Sequence, residues 1–325
     1  ALRSSRWLAK FSPGCTQNTP FDVVDWHFVP LGDFSNSNST GPEIRVGELP
    51  FGRKVGTIYQ NHFFAVIHGI LKANVAMQQD QWERAIQIYD SVSGLSVPLG
   101  EALSMDYLYD YYFNLGLAHH HLGRFDKAVS YWEENVRLQP QTAKPYNNLA
   151  AAHFRLGAIG RAAEVWEQAI ELEPDYPEAY FNLGNALFTQ QEYGRAAAAW
   201  KRAIQLKPDY GQAHYGMGNI SYQLGELDRA LSAYETALQF SPDEANIHYN
   251  VAQVHLRSGQ VGAAIKSFER AVELKPDDVE ALLELGKLYV TSGRKNDARQ
   301  SFERVLTVAP NHPQADEIRR TLSAL

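Results

Sequence analysis

Cysteine is nearly absent: Cys15 is the only one in 325 residues. One thiol excludes an internal disulfide framework and any zinc or iron–sulfur site built from several cysteines. No run reaches the roughly 18–20 uninterrupted apolar residues of a membrane span. The best stretch, His62 to Met77, is broken by His68, Lys72 and Asn74. A basic excess is missing too. With 30 Lys and Arg against 37 Asp and Glu, and a net charge of −7, general electrostatics argue against nucleic acid as a partner. The 23 Gly and 15 Pro are too few and too scattered for a collagen-like or fully disordered chain. No phosphate loop, no Gly-x-Ser-x-Gly elbow and no His-Glu-x-x-His occurs. No catalytic set, metal site or cofactor is therefore expected, and any membrane association would run through a partner.

What the chain has is a repeat. Pro140, Pro174, Pro208, Pro242, Pro276 and Pro310 stand 34 residues apart each time. With this proline as position 32, the units begin at Tyr109, Ala143, Pro177, Gly211, Ala245 and Val279. Position 20 is alanine in all six (Ala128, Ala162, Ala196, Ala230, Ala264, Ala298), and position 8 is Gly or Ala. Position 24 is always aromatic: Trp132, Trp166, Trp200, Tyr234, Phe268 and Phe302.

Apolar residues recur at helical spacing in two stretches per unit, each about a dozen residues long, which predicts a helical hairpin. Position 15 is glycine in five units, where a helix ends and the chain needs a left-handed residue; Gln191 is the exception. The proline stops the second helix, and Asp175, Asp209, Asp243 and Asp277 after it are expected as N-caps of the next unit. Small residues at 8 and 20 let the two helices approach, and the aromatic at 24 fills the wedge between hairpins. A single hairpin cannot bury both faces, so stability comes from stacking.

This pattern resembles the tetratricopeptide repeat (TPR) family, from Tyr109 to about His312 without insertion or deletion. The resemblance implies an all-α fold, a right-handed TPR superhelical solenoid of about seven helical hairpins. Residues 61–108 read as a degenerate first hairpin with Ala85 and Tyr89 at positions 20 and 24, followed by an insertion; 109–312 are the six regular units. Residues 313–325, with Ala315, Ile318, Leu322 and Leu325 on one side, read as a C-terminal capping helix. Residues 1–60 are an irregular N-terminal arm that still carries Phe21, Trp26, Phe28, Phe34 and Phe51. A pure linker would not carry these aromatics. Ala1 to Lys10 is basic and free of acids, compatible with the remnant of a transit segment. The start at Ala1 is compatible with a processed or truncated terminus, and the compartment stays open.

Of eleven histidines, His119, His153 and His255 fall at position 11 and His214 and His248 at position 4, both packing positions. His119, His120 and His121 are consecutive, but successive helical residues point about 100° apart and cannot ligate one ion together.

The sharper signal is on the first helix of each unit, where positions 2, 5, 6, 9, 12 and 13 share a face and, by the resemblance, line the concave groove. Position 6 carries Asn114, Asn148, Asn182 and Asn250, interrupted by Gly216 and Glu284. Asparagine is a mediocre helix former, but its amide offers a donor and an acceptor to a peptide main chain. The row resembles the asparagine ladder of the TPR domains of O-GlcNAc transferase and of peroxisomal targeting receptors. Position 9 adds Asn185, Asn219 and Gln253. Around this track stand Phe154, Phe188, Tyr215, Tyr222 and Tyr249, with Arg257 at position 13. Lys144, Arg155, Arg257 and Lys287 balance Asp110, Glu178, Glu280 and Glu284, so binding is expected to depend weakly on salt. No unit has Lys or Arg at position 5, which disfavours the carboxylate-clamp type of TPR.

These readings imply a non-catalytic protein-interaction scaffold, an adaptor or assembly chaperone. Its partner would be a protein or peptide supplying an extended segment with small or apolar side chains. The alternative is a structural subunit docked through the arm, by strand addition at Phe21 to Val29. In a variant of this, the arm occupies the groove intramolecularly and inhibits the protein's own peptide binding.

Overall fold

The computed structural model describes residues 7–9, 28–30, 53–93 and 105–325, with side chains from 65 to 93 and from 107 to 325. Residues 1–56 and 57–325 form two separate compact units.

The first unit contains two short strands, β1 (Trp7–Ala9) and β2 (Phe28–Pro30), paired antiparallel with Leu8 opposite Val29. Phe28 and Val29, the end of the segment expected to offer itself to another chain, thus spend one edge on β1. Cys15, residues 21–27 and, of the insertion expected in the Ser91 to Asp106 region, residues 94–104 lie outside the described residues.

The second unit is an α-solenoid. Its helices are α1 (Arg53–Gln78), α2 (Trp82–Ser93), α3 (Met105–His121), α4 (Phe125–Leu138), α5 (Ala143–Arg155) and α6 (Ile159–Leu172). They continue as α7 (Pro177–Thr189), α8 (Tyr193–Leu206), α9 (Gly211–Gln223), α10 (Leu227–Phe240) and α11 (Ala245–Arg257). The array ends with α12 (Val261–Leu274), α13 (Val279–Thr291), α14 (Lys295–Val308) and the last helix, α15 (Ala315–Ala324). Among the described residues these make seven successive hairpins and a terminal helix. From α3 onward each helix packs chiefly on those before and after it, as a quasi-one-dimensional stack requires. α1 begins at Arg53, earlier than the sequence pattern suggested, because the helical stretch continues upstream of His62.

The alanines at position 20, from Ala85 to Ala298, are all fully buried. They are the contact points at which the two helices of each hairpin meet. The residue at position 15 adopts a positive φ in every unit: five glycines, Gln191 at 63° and, in the first hairpin, Asp80 at 55°. Asp80 occupies the same register position, counted back from Ala85 and Tyr89. The N-caps differ from expectation. They fall one residue after the aspartates, at Tyr176, Tyr210, Glu244 and Asp278, and only Asp278 accepts a bond from its own helix, from Ala281 N at 3.1 Å. The proline and aspartate form a two-residue turn that places the aspartates outside the helix, where Asp175 and Asp243 pair with Arg202 and Arg270 at 3.3 and 2.9 Å.

Candidate functional site

The ring at position 24 organises the site from below. Trp132, Trp200, Tyr234 and Phe268 are all but fully buried. Trp132 and Trp200 donate Nε1–H to the main-chain oxygens of Phe113 and Phe181, at 3.3 and 3.1 Å. Trp166 donates instead to the side-chain Oδ1 of Asn147, at 3.0 Å. The tyrosines reach further: Tyr234 donates to Asn219 Oδ1 at 2.8 Å, and Tyr89 donates to Asn74 Oδ1.

Those buried donors fix the asparagines above them. Asn114 donates Nδ2–H to Asn74 Oδ1 at 3.0 Å, across the boundary to the preceding unit. Asn182 does the same to Asn147 Oδ1 at 3.1 Å, and Asn250 to Asn219 Oδ1 at 3.1 Å and Tyr215 Oη at 2.9 Å. In each case the amide nitrogen is spent backwards along the array, which sets the orientation of the amide and leaves Oδ1 as an acceptor. Asn148 is different: it is buried, 4% exposed, and its Oδ1 faces Asn147 Nδ2 at 3.4 Å. Asn185 is half-buried, and among the described residues its amide has no partner. The residue across from it is Gly216, where a Cβ would stand 2.8 Å from the Trp200 ring. At this junction the Trp200 ring fills the space that a position-6 side chain would enter.

The aromatic lining leans on the same buried layer. Phe154 lies against Trp166 at 5.9 Å, Phe188 against Trp200 at 5.7 Å, Tyr215 against Tyr234 at 5.7 Å, and Tyr249 edge-on to Phe268 at 5.3 Å. All four remain partly exposed, so each ring is anchored on one side and open on the other. Burial raises the Tyr215 and Tyr249 hydroxyls above their usual range, keeping them neutral donors and acceptors. Gln253 Nε2 donates to Tyr249 Oη at 3.0 Å. Arg257 stacks on Tyr222, 4.6 Å from the ring centroid. Sequence reasoning missed Asn147, Asn74 and Tyr89 as members of this network. The available signal was that Tyr at position 24 occurs with Asn at position 9, in the first hairpin and in the unit starting at Gly211.

The three consecutive histidine rings go three ways: His119 onto Tyr131, His120 towards Phe125 and Trp132, His121 flat on Trp82 at 4.0 Å. Burial pushes both His119 and His120 down to about 4. At position 4, Tyr146 Oη donates to the Pro140 carbonyl, and the His214 and His248 Nε2 atoms bond the Pro208 and Pro242 carbonyls at 3.0 and 2.9 Å. Position 4 thus satisfies a carbonyl left open beyond the helix end. Where Leu282 cannot, Arg304 bonds Pro276 O instead.

Three models described as TPR repeat or tetratricopeptide repeat match residues 109–142, 255–322 and, in three overlapping copies, 155–259. No curated protein sequence matches the chain. Among solved structures, PilF of Pseudomonas aeruginosa aligns with TM-score 0.60 and 18% identity over 67% of this chain and 99% of its own. A tetratricopeptide repeat protein of Parabacteroides merdae aligns with TM-score 0.59 and 15% identity, over 80% of this chain and 98% of its own. The Cut9–Hcn1 structure of the APC/C aligns at 0.57 and 13%, over 77% and 54%. At these identities the structures share a fold. Among the described residues no helix is long and apolar enough to cross a membrane.

Proposed function

The chain belongs to the tetratricopeptide repeat family, a protein-interaction repeat, and from that premise we propose that it is a non-catalytic scaffold holding an extended partner segment along the face of its first helices. The observation that carries this reading is the fixed orientation of the position-6 amides. Asn114, Asn182 and Asn250 each spend Nδ2 inside the array and keep Oδ1 for a main-chain N–H. An acceptor presented at this position reads backbone rather than side chain, so the grip tolerates different sequences, as an adaptor or assembly chaperone needs. Asn185 and Asn219 extend the polar track, and Asn148 sits behind it, steadying Asn147. Phe154, Phe188, Tyr215, Tyr222, Tyr249 and Gln253 take the small or apolar side chains between main-chain contacts.

Photo-crosslinking in the native extract tests this. A photoreactive phenylalanine replacing Phe188 should give discrete partner adducts, and the same group replacing the outer-face Lys201 should not. Asn182→Ala with Asn185→Ala should reduce the Phe188 adducts about fivefold or more, since each lost main-chain hydrogen bond is worth roughly 1 kcal/mol. Equal adducts at both sites, or adducts indifferent to the asparagines, would overturn the assignment.

A further inference from the structure

Resting on that groove reading, we infer that the held segment is acidic: it presents two carboxylate side chains, one to Arg155 and one to Arg257, separated by a neutral stretch. The charge balance of the lining, counted from the sequence, does not survive in the structure. Its acids are already used by the chain. Glu178 lies 4.0 Å from Lys207 and Glu284 2.8 Å from Lys287, Asp110 and Lys144 are engaged internally as well, and Glu280 sits in the last regular unit, 3.9 Å from His312. The lining cations that meet no acid among the described residues are Arg155 and Arg257. Both are exposed.

The two occupy the same register position, 13, and the same setting. The Arg155 guanidinium lies 4.8 Å from the ring centroid of Phe125, and that of Arg257 lies 4.6 Å from Tyr222, each on an aromatic of the preceding unit. Arg257 also donates one N–H to the Tyr222 main-chain oxygen at 3.1 Å. Stacking on a ring uses the face of a guanidinium and leaves N–H donors at its edge for planar, bidentate contact with a carboxylate. It also restricts the long side chain before any ligand arrives, so less entropy is lost on binding. Arg195, Arg270 and Arg294, by contrast, each pair with two carboxylates. In a chain with excess acid, two pre-set, unpaired guanidinia on one face make a receptor for acid from outside. Between them position 13 is Thr189 and Gln223, which is why the middle of the segment is neutral.

The test uses the full chain and an array of fluorescent extended peptides of Ala, Ser and Leu. One or two Glu are walked through each peptide and compared with Gln at the same places, by fluorescence anisotropy. Two-Glu peptides of one favoured spacing should bind about tenfold tighter than their Gln twins, and the advantage should shrink at high salt. Arg155→Gln should erase the preference at one Glu, and Arg257→Gln at the other. Arg195→Gln, on the outer face, should change neither. Equal binding of Glu and Gln peptides overturns the acidic-partner inference while leaving the groove reading standing. If no peptide of either kind binds, both fall.

Discussion

Two junctions of the array use the same three register positions in opposite ways. Where α9, α10 and α11 meet, the set is Asn219, Tyr234 and Asn250, and the tyrosine hydroxyl and the next unit's amide converge on one carbonyl oxygen. The meeting of α1, α2 and α3 repeats this with Asn74, Tyr89 and Asn114. Where α7, α8 and α9 meet, the set is Asn185, Trp200 and Gly216. There the indole donates to main chain, position 6 has no side chain, and the position-9 amide is left open. At these junctions the tyrosine goes with amides that tie two units together, and Trp200 with Gly216 goes with a position-9 amide that stays available. Stability and ligand capacity are exchanged at one position.

The most forceful way to break this contrast is Gly216→Asn, which would complete the ladder on paper. A Cβ at 216 would press on Trp200 at 2.8 Å, so the variant should lose about 3 kcal/mol by overpacking. Adding Trp200→Tyr should recover part of that loss, giving a favourable coupling of at least about 1 kcal/mol in a double-mutant cycle of urea midpoints. Strictly additive effects would show that the three positions are not chosen together.

Moving the comparison to position 11 predicts a pH effect of somewhat smaller size. His255 bonds Gln260 Oε1 at 2.8 Å and is partly exposed, whereas His119 is 2% exposed with its Nδ1 unpartnered. Burial foremost, with Lys127 and Arg124 nearby, holds the folded His119 at about 4, below the ordinary 6.5. Between those values the unfolded chain binds more protons, so stability is full above about pH 6.5 and falls as the pH drops towards 4. The loss should be roughly 2–3 kcal/mol. His119→Phe should make the profile shallower by that amount while His120, also held at about 4, keeps its own share, read as urea midpoints at about pH 7.5 and pH 4.5.

Tyr234→Phe sharpens the first contrast from the other side. It removes one of the two donors to Asn219 Oδ1 and should cost about 1 kcal/mol. Tyr222→Phe, whose hydroxyl makes no hydrogen bond among the described residues, should stay within about 0.5 kcal/mol. Hydrogen exchange of α10 amides gives the local reading, since a repeat array need not unfold in one step.

Nearly all of the solenoid was legible in the sequence, because the features that define it are steric and local. Position 20 must be small, position 15 must turn left-handed, and a proline ends the unit. The candidate site was legible only as a row of residue types. Nothing in a row of asparagines says which way an amide faces; that is set by donors in the layer beneath, such as Trp166 and Tyr234. The charge count failed for a related reason. Lys207, which pairs with Glu178, comes from outside the first helices that line the groove. The misplaced N-caps show the same limit at short range: a two-residue turn moved the capping position from Asp277 to Asp278.

The smallest predicted effect concerns the two hairpins that lack glycine at position 15. Gln191 and Asp80 hold φ at 63° and 55°, in the left-handed region where a Cβ crowds the backbone. Replacing either by Gly relieves that crowding but adds freedom to the unfolded chain, so the net gain is a difference of two small terms. Aspartate tolerates this conformation better than glutamine because its short polar side chain bonds locally. Gln191→Gly should therefore stabilise by about 0.5–1 kcal/mol and Asp80→Gly by less, both read as urea midpoints. If Asp80→Gly gained the more, local backbone strain would not be what separates these two turns from their five glycine counterparts.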